Sequence, residues 1–454
     1  MTGAVNDAGT VQDTTPAELR RVVSASVVGT ALEWYDFFIY GFAVTLVFNQ
    51  LFFVTDDPAV GTIVGFATFG VGFAVRPLGG FLFGHLGDKI GRRSTLVLTT
   101  LVMGISTGLI GLLPTYESIG IAAPIMLTLL RMCQGLGAGA EFGGASTLLA
   151  EHAPPKRRGF FTSFAQTGVQ IGLLTGTVVF LLVESLGEET VLAWAWRIPF
   201  WFSFLLIAVA LYVRLRVAES PVFRRMSQKQ TTVSLPVMDA LKRYPRNFLI
   251  GIGAHICDTA VVYIYATYSL TYITKTLELE RWVGLAGVIM FSVLVIALQP
   301  VYGRLSDRIG RRPLNLFSVV FTAAWAFPFF LLLDTREPVL IWIALIIATT
   351  VGFAPMIAVQ PAFYAELFGA RVRYTGFAAS REIGAALGGF SPLIAASLVA
   401  QADGRGWLVS IWIIVTAAIS FVAFWLSKES KDVDIAAVDV TGHEASVRAS
   451  TADR

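Results

Sequence analysis

Apolar residues along this chain come in long blocks, without the short alternating or amphipathic patterns of a water-soluble core. About twelve blocks approach the roughly 20 residues with which a helix crosses ~30 Å of hydrocarbon. They centre near 23–48, 60–84, 94–114, 121–148, 160–184, 197–215, 247–273, 283–303, 313–333, 338–362, 375–399 and 407–427. Each is read as a membrane-spanning helix, because a segment in lipid must satisfy its backbone hydrogen bonds internally. Glycine and proline interrupt many of these blocks, which helix bundles tolerate when neighbouring backbones approach closely.

The blocks repeat. Gly84-His85-Leu86-Gly87-Asp88-Lys89-Ile90-Gly91-Arg92-Arg93 and Gly303-Arg304-Leu305-Ser306-Asp307-Arg308-Ile309-Gly310-Arg311-Arg312 lie about half the chain apart, each between two apolar runs. Glu151 with Arg158, and Glu366 with Arg373, repeat a second spacing after the fourth and tenth blocks. Internal duplication on this scale predicts an all-α membrane protein of twelve transmembrane helices in two pseudo-symmetric six-helix bundles, with a binding site between them. The expected divisions are a tail at 1–22, a bundle at 23–215, a basic linker at 216–246, a bundle at 247–427 and a tail at 428–454. The linker carries Pro221, Pro236 and Pro245. The last tail is short, mixed in charge and without heptads, so it is expected to be disordered.

Composition agrees: 55% of residues are hydrophobic and only 14% charged, with mean hydropathy +0.69, against roughly 25% charge in a soluble domain. Lys and Arg concentrate in alternate loops, among them Lys89 to Arg93, Lys156 to Arg158, Arg304 to Arg312, Arg371 and Arg373. By the positive-inside rule both termini are expected in the cytoplasm. The net charge of +3 is this loop bias, and no basic soluble face predicts a nucleic-acid partner. No cleavable signal peptide is read at the start, and Cys133 and Cys257 fall inside spans, so free thiols are expected.

At these motifs the chain resembles the major facilitator superfamily over essentially its whole length. The resemblance implies a role for the repeated loops. In each, the Asp can pair with a following Arg and cap a neighbouring helix, while the Gly lets helices approach, which makes Gly84, Asp88, Arg92, Gly303, Asp307 and Arg311 candidates for a gating latch. Within the superfamily, Ala31-Leu32-Glu33-Trp34-Tyr35-Asp36-Phe37-Phe38, Arg76-Pro77-Leu78-Gly79, Arg131-Met132-Cys133-Gln134-Gly135 running to Glu141-Phe142-Gly143-Gly144, Trp196-Arg197-Ile198-Pro199-Phe200 and Glu219-Ser220-Pro221-Val222-Phe223 look like the metabolite:proton symporter family. That family includes shikimate, 2-oxoglutarate, citrate and proline/betaine permeases. Ile119 to Ile125 and Glu366 to Gly376 look most like the shikimate branch. Arg381-Glu382 departs from it, standing where a Tyr-Gln pair is expected. The tail lacks the long coiled coil of the family's osmosensors, and Gly168 to Thr177 lacks the proline kink of drug antiporters.

An ionisable side chain at mid-membrane costs at least ~2.5 kcal/mol, so each is a functional candidate until a partner accounts for it. Glu33, Asp36 and Tyr40 share one face of the first span, and Arg131, Gln134, Ala138 and Glu141 form a stripe on the fourth. Asp36 and Arg131 fall at similar depth, which predicts a facing acid-base pair whose separation by an anionic substrate leads Asp36 to take up a proton. Glu33, Glu141 and Asp258 are the other proton-coupling candidates. Asp258 clusters with His255 and Thr259, where it could pair with Arg381; His255 reads slightly better as a core histidine. Gln166, Gln170, Gln360 and Tyr364 offer uncharged hydrogen bonds to substrate. Arg76 and Arg197 read as span-end groups, by snorkelling or helix-end pairing. Trp34 and Tyr35 flank the acidic pair, and Tyr263, Tyr265, Tyr268 and Tyr272 are too many all to line a cavity.

Four His and two Cys without metal-ligand spacing, no nucleophile elbow and no phosphate-binding Gly-Lys-Ser/Thr loop argue against an enzyme or an ATP-driven pump. The expectation is therefore a monomeric, multi-pass symporter of the bacterial cytoplasmic membrane. It needs no cofactor beyond the proton gradient, and its partners are protons, the lipid bilayer and a small organic acid such as shikimate or 2-oxoglutarate. A proton symporter of a zwitterionic osmolyte is the alternative, ahead of a drug:proton antiporter and of a membrane enzyme or receptor.

Overall fold

The computed structural model describes residues 16–55, 58–90, 92–139, 141–216, 241–242, 244–368, 373–433 and 435. Among these the regular structure is entirely helical, and ten helices are long and apolar enough to cross a membrane. Two more complete the set of twelve. Arg92–Ile110 is the third span, with its apolar part at Val97–Ile110, and Ala122–Ala138 with Glu141–His152 form the fourth.

Span one is Pro16–Ala43, continued by Val44–Phe48 and Asn49–Leu51; span two is Pro58–Ile90; span five is Arg158–Glu184; span six is Ile198–Arg216. In the second half, span seven runs from Pro245–Tyr263 through Ile264–Tyr268 to Thr276, span eight is Arg281–Ile309, and span nine is Arg311–Leu333. Span ten joins Pro338–Ile347, Ala348–Phe353 and Ala354–Leu367; span eleven joins Arg373–Gly389 to Ser391–Gln401; span twelve is Trp407–Leu426. The first helix starts at Pro16, inside the stretch expected as an N-terminal tail, since proline's fixed φ suits a first helical position. Most of the expected 216–246 linker lies outside the described residues.

The duplication is visible in backbone geometry. Val44–Phe48 in span one and Ile264–Tyr268 in span seven are both π-helical, about half the chain apart like the decapeptides, and such widened turns often mark functional stretches. There the two spans meet: Thr45 and Thr271 hydroxyls lie 2.8 Å apart, and a Cβ on Gly41 would sit 2.9 Å from Thr267 Cγ2.

Spans two and four pack backbone to backbone. A Cβ on Gly135 would lie 2.1 Å from the carbonyl oxygen of Gly72, so only glycine permits this approach, which in lipid replaces hydrophobic driving force with close van der Waals contact. Gly135→Leu is expected to force the spans apart at a cost of about 1–3 kcal/mol or more. Thermal unfolding in detergent checks this: the melting temperature should fall by several degrees, and an unchanged value would contradict the packing.

Candidate functional site

The centre of the first half is built around Arg131. Its side chain is 0% exposed and held among rings, with Cζ 4.3 Å from the centroid of Tyr40, 4.4 Å from Phe37 and 4.9 Å from Phe69. Nη1 donates to Gln134 Oε1 at 3.0 Å. Nε and Nη2 have no hydrogen-bond partner, and among the described residues no carboxylate pairs with this guanidinium.

Asp36 lies nearby without touching it. Ser203 Oγ donates to Asp36 Oδ1 at 2.6 Å, and Thr107 Oγ1 donates to Oδ2 at 2.8 Å. Gln134 Nε2 donates to Thr107 Oγ1 at 2.6 Å. The expected direct Asp36–Arg131 pair is therefore replaced by a relay, Asp36–Thr107–Gln134–Arg131. The depth match holds, but the carboxylate turns to hydroxyls on spans three and six while the guanidinium sits under aromatic faces. Thr107 and Ser203 carry no sequence signal, because a buried Ser or Thr in an apolar helix commonly bonds only its own preceding turn.

A second buried charge cluster joins the two halves. Arg76, also 0% exposed, donates through Nε to Glu382 Oε2 at 2.6 Å and has Glu33 Oε1 at 4.0 Å. Arg381 Nη1 donates to Glu382 Oε1 at 2.7 Å, and its Cζ lies 3.9 Å from the Phe142 ring. Two expectations fall here. Arg76 is not a snorkelling residue, since an acid from span eleven meets it inside the protein. Arg381 pairs with the adjacent Glu382 and not with Asp258; Asp258 instead lies 2.8 Å from His255 Nδ1, whose same nitrogen is 3.1 Å from Gln360 Oε1. Arg197 is half-buried near a span end, donating to the Leu113 carbonyl at 3.3 Å.

The remaining candidates divide. Tyr40 shares a 2.9 Å hydrogen bond with Thr68, and Gln170 is buried with neither amide atom bonded. Gln166 is buried on the same face of span five. Tyr364 donates to the Gly251 carbonyl and stacks on Phe377 at 4.8 Å, which makes it a clasp between spans seven, ten and eleven. Tyr263, not singled out above, inserts from the second half between Phe69 and Phe73, 5.0 Å from each, with its hydroxyl unbonded. The side chain of Glu141 lies outside the described residues.

One end of the molecule, the basic end, carries an ion lattice. Asp307 accepts from the backbone N–H groups of Gly159 at 2.8 Å and Phe160 at 2.9 Å, capping span five, where a helix N-terminus favours an anion. Arg311 holds Asp307 at 2.8 Å and Glu366 at 3.1 Å. Arg158 reaches Glu366 at 2.9 Å and Arg373 reaches Glu151 at 3.3 Å, so the repeated Glu-Arg pairs bond crosswise between the halves. Gly303 lets span eight meet span five, since a Cβ there would lie 2.5 Å from the Gly159 carbonyl oxygen. The surroundings of Gly84 and the side chains of Asp88 and Arg92, in the matching loop of the first half, lie outside what is described.

The start of the second tail is ordered, contrary to expectation. Glu429 accepts from the N–H groups of Arg311 at 2.8 Å and Arg312 at 3.0 Å. Ser430 donates to Glu366 at 2.7 Å, and Arg158 and Arg373 donate to the carbonyls of Val433 and Ile435. These partners come from distant sequence, so composition alone points to disorder. At the opposite end Arg281 pairs with Glu184 and Glu188, again between halves.

Glu366 binds Arg158, Arg311 and Ser430 together, so Glu366→Gln should loosen the basic end while keeping the side chain's shape. A cysteine at Ser163, beside Gly303, is expected to react faster with a charged thiol reagent in the Gln variant. Equal rates, with Cys133 and Cys257 controlled by the parent protein, would contradict the latch.

Residues 26–390 match the Major Facilitator Superfamily family model. The chain is 38% identical over 418 residues to the shikimate transporter of Escherichia coli (strain K12), covering 91% of this chain and 95% of that protein. It is 34% identical over 423 residues to the proline/betaine transporter of the same organism, covering 91% of this chain and 84% of that one. The fold is shared with the proton:xylose symporter XylE bound to 6-bromo-6-deoxy-D-glucose, at a TM-score of 0.71 and 16% identity over 92% of this chain and 98% of that chain. These likenesses describe a transporter and not an enzyme: the chain is a multi-pass membrane protein that belongs to the major facilitator superfamily, alongside bacterial metabolite transporters.

Proposed function

We propose that this protein takes up a small organic acid, such as shikimate or 2-oxoglutarate, together with protons across a bacterial cytoplasmic membrane, with the basic end and both termini in the cytoplasm. The observation that carries this reading is Arg131, a buried guanidinium with two unbonded nitrogens and no carboxylate partner among the described residues. A carboxylate can take both N–H groups of such a fork, a charge-assisted pairing that a neutral sugar or a cation cannot match.

The relay then couples the proton. With the site unliganded, Asp36 and Arg131 balance each other's charge at one remove through Thr107 and Gln134. An arriving carboxylate neutralises Arg131, and Asp36 becomes a lone buried anion, several kcal/mol unfavourable in a low-dielectric interior unless it is protonated. One proton therefore accompanies one bound monoanion such as shikimate, and the loaded centre is then neutral as the halves rock about it; a dianion such as 2-oxoglutarate leaves one negative charge over. The lattice at the basic end opens to release the cargo and re-forms afterwards.

A zwitterionic osmolyte is the second reading, favoured by the rings around the site and by the proline/betaine relatives. A quaternary ammonium would need an aromatic face. Phe37, Tyr40 and Phe69 already offer theirs to Arg131, which favours the anion.

Uptake of radiolabelled shikimate, 2-oxoglutarate, proline and glycine betaine into proteoliposomes under an imposed pH gradient tests the class. Preference for a betaine would overturn the acid assignment. Arg131→Gln should abolish binding and Arg131→Lys retain part of it, since Lys keeps the charge and loses the fork. Asp36→Asn should lose gradient-driven accumulation while keeping exchange of labelled for unlabelled substrate. Loss of both would make Asp36 a binding or structural residue, and retention of both would move the coupling acid elsewhere.

A further inference from the structure

Asp36 has two faces. Oδ2 looks through Thr107 and Gln134 toward Arg131, the side on which the proposed substrate arrives. Oδ1 accepts from Ser203 and borders a crevice between spans one, three and six, lined by Glu33, Thr100, Ser203 and Ala210 among apolar neighbours. In sequence Ala210 stands one helical turn before Arg214, and Thr100 two turns after Arg93. The lining thus extends from Asp36 toward the Arg93 and Arg214 ends of spans three and six, the basic end, inside the first bundle.

We infer that this crevice is a proton path, distinct from the substrate chamber, by which Asp36 exchanges protons with the basic end; the inference rests on the coupling role proposed above. Electrostatics separate the two routes. A hydronium ion leaving Asp36 toward the chamber meets the bound cargo or, once the cargo has left, Arg131, whereas in the crevice it passes Glu33 on span one, which has Arg76 at 4.0 Å, and the lining from spans three and six adds the hydroxyls of Thr100 and Ser203 and no charge. The charged groups that bear on Asp36 are Glu33 and Arg131, an anion on the crevice side and, once the cargo has left, an uncompensated cation on the chamber side. In the step itself the O–H bond of the Asp36 carboxylic acid breaks, the proton passes to water in the crevice and on to the basic end, and the electron pair stays on the carboxylate, held again by Thr107 and Ser203. Proton release then needs no passage through the site that the cargo occupies.

Ala210 is buried at the crevice's inner part and distant from Arg131 in the site's contacts, so Ala210→Leu narrows the path without touching the chamber. The full-length variant in proteoliposomes loaded with pyranine should lose shikimate-driven acidification and gradient-driven shikimate accumulation, while shikimate exchange keeps its parent rate. Coupled accumulation at the parent rate in this variant overturns the path alone. Parent vesicles that carry shikimate without a pyranine signal overturn the coupling reading, and the path with it. Should Ala210→Leu lose exchange as well, Ala210→Cys decides. Labelling by a charged methanethiosulfonate from the basic end, undiminished by saturating shikimate and above the parent's Cys133 and Cys257 background, supports the path; labelling that shikimate blocks, or none above background, overturns it.

Discussion

A buried charge in lipid must be matched, and the arrangement of this protein follows from how each one is. Arg76 has Glu382 and Glu33, Arg381 has Glu382, His255 has Asp258, Arg311 has Asp307 and Glu366 within the second half, and Arg158 and Arg373 are matched across the halves by Glu366 and Glu151. Arg131 differs: its compensation comes from aromatic faces and from an acid three hydrogen bonds away. Removing one member of a buried pair commonly costs 3–5 kcal/mol, roughly the scale on which a substrate carboxylate can act at Arg131.

The same constraint divides labour along the membrane normal. At the basic end, paired charges tie spans five, eight and ten and the strap at 427–433 into one lattice. At the opposite end, spans one and two meet span seven through neutral hydroxyls and rings such as Thr45 with Thr271 and Phe66 with Tyr268, and Arg281 with Glu184 and Glu188 is a charged tie between the halves. The middle holds Arg131, a buried cation with no carboxylate bonded to it among the described residues. Closed ends around an unsatisfied centre are what alternation between two access states requires.

Much of the fold was legible because a bilayer leaves the backbone few options: runs such as Arg281 to Ile309 cannot be anything but helices in lipid, and the decapeptide repeat exposes the duplication. Site residues were legible where helical spacing decides, as for Asp36 above Glu33 and Gln134 above Arg131. Illegible was which way each side chain turns. Asp36 reaches Thr107 and Ser203, and Arg76 meets an acid 306 positions away; neither follows from spacing within one helix. The strap escaped for a related reason, since Glu429 and Ser430 look like solvated tail residues until the N-terminus of span nine and Glu366 are placed beside them.

The central claim is that charge on the cargo, not its shape, recruits the proton, so that a monoanion and one proton cross together without net charge. Shikimate accumulation in proteoliposomes, with pH difference and membrane potential clamped separately, tests this most directly. The account predicts accumulation that follows the pH difference and ignores an imposed potential. Accumulation driven by an inside-negative potential at equal pH would contradict it.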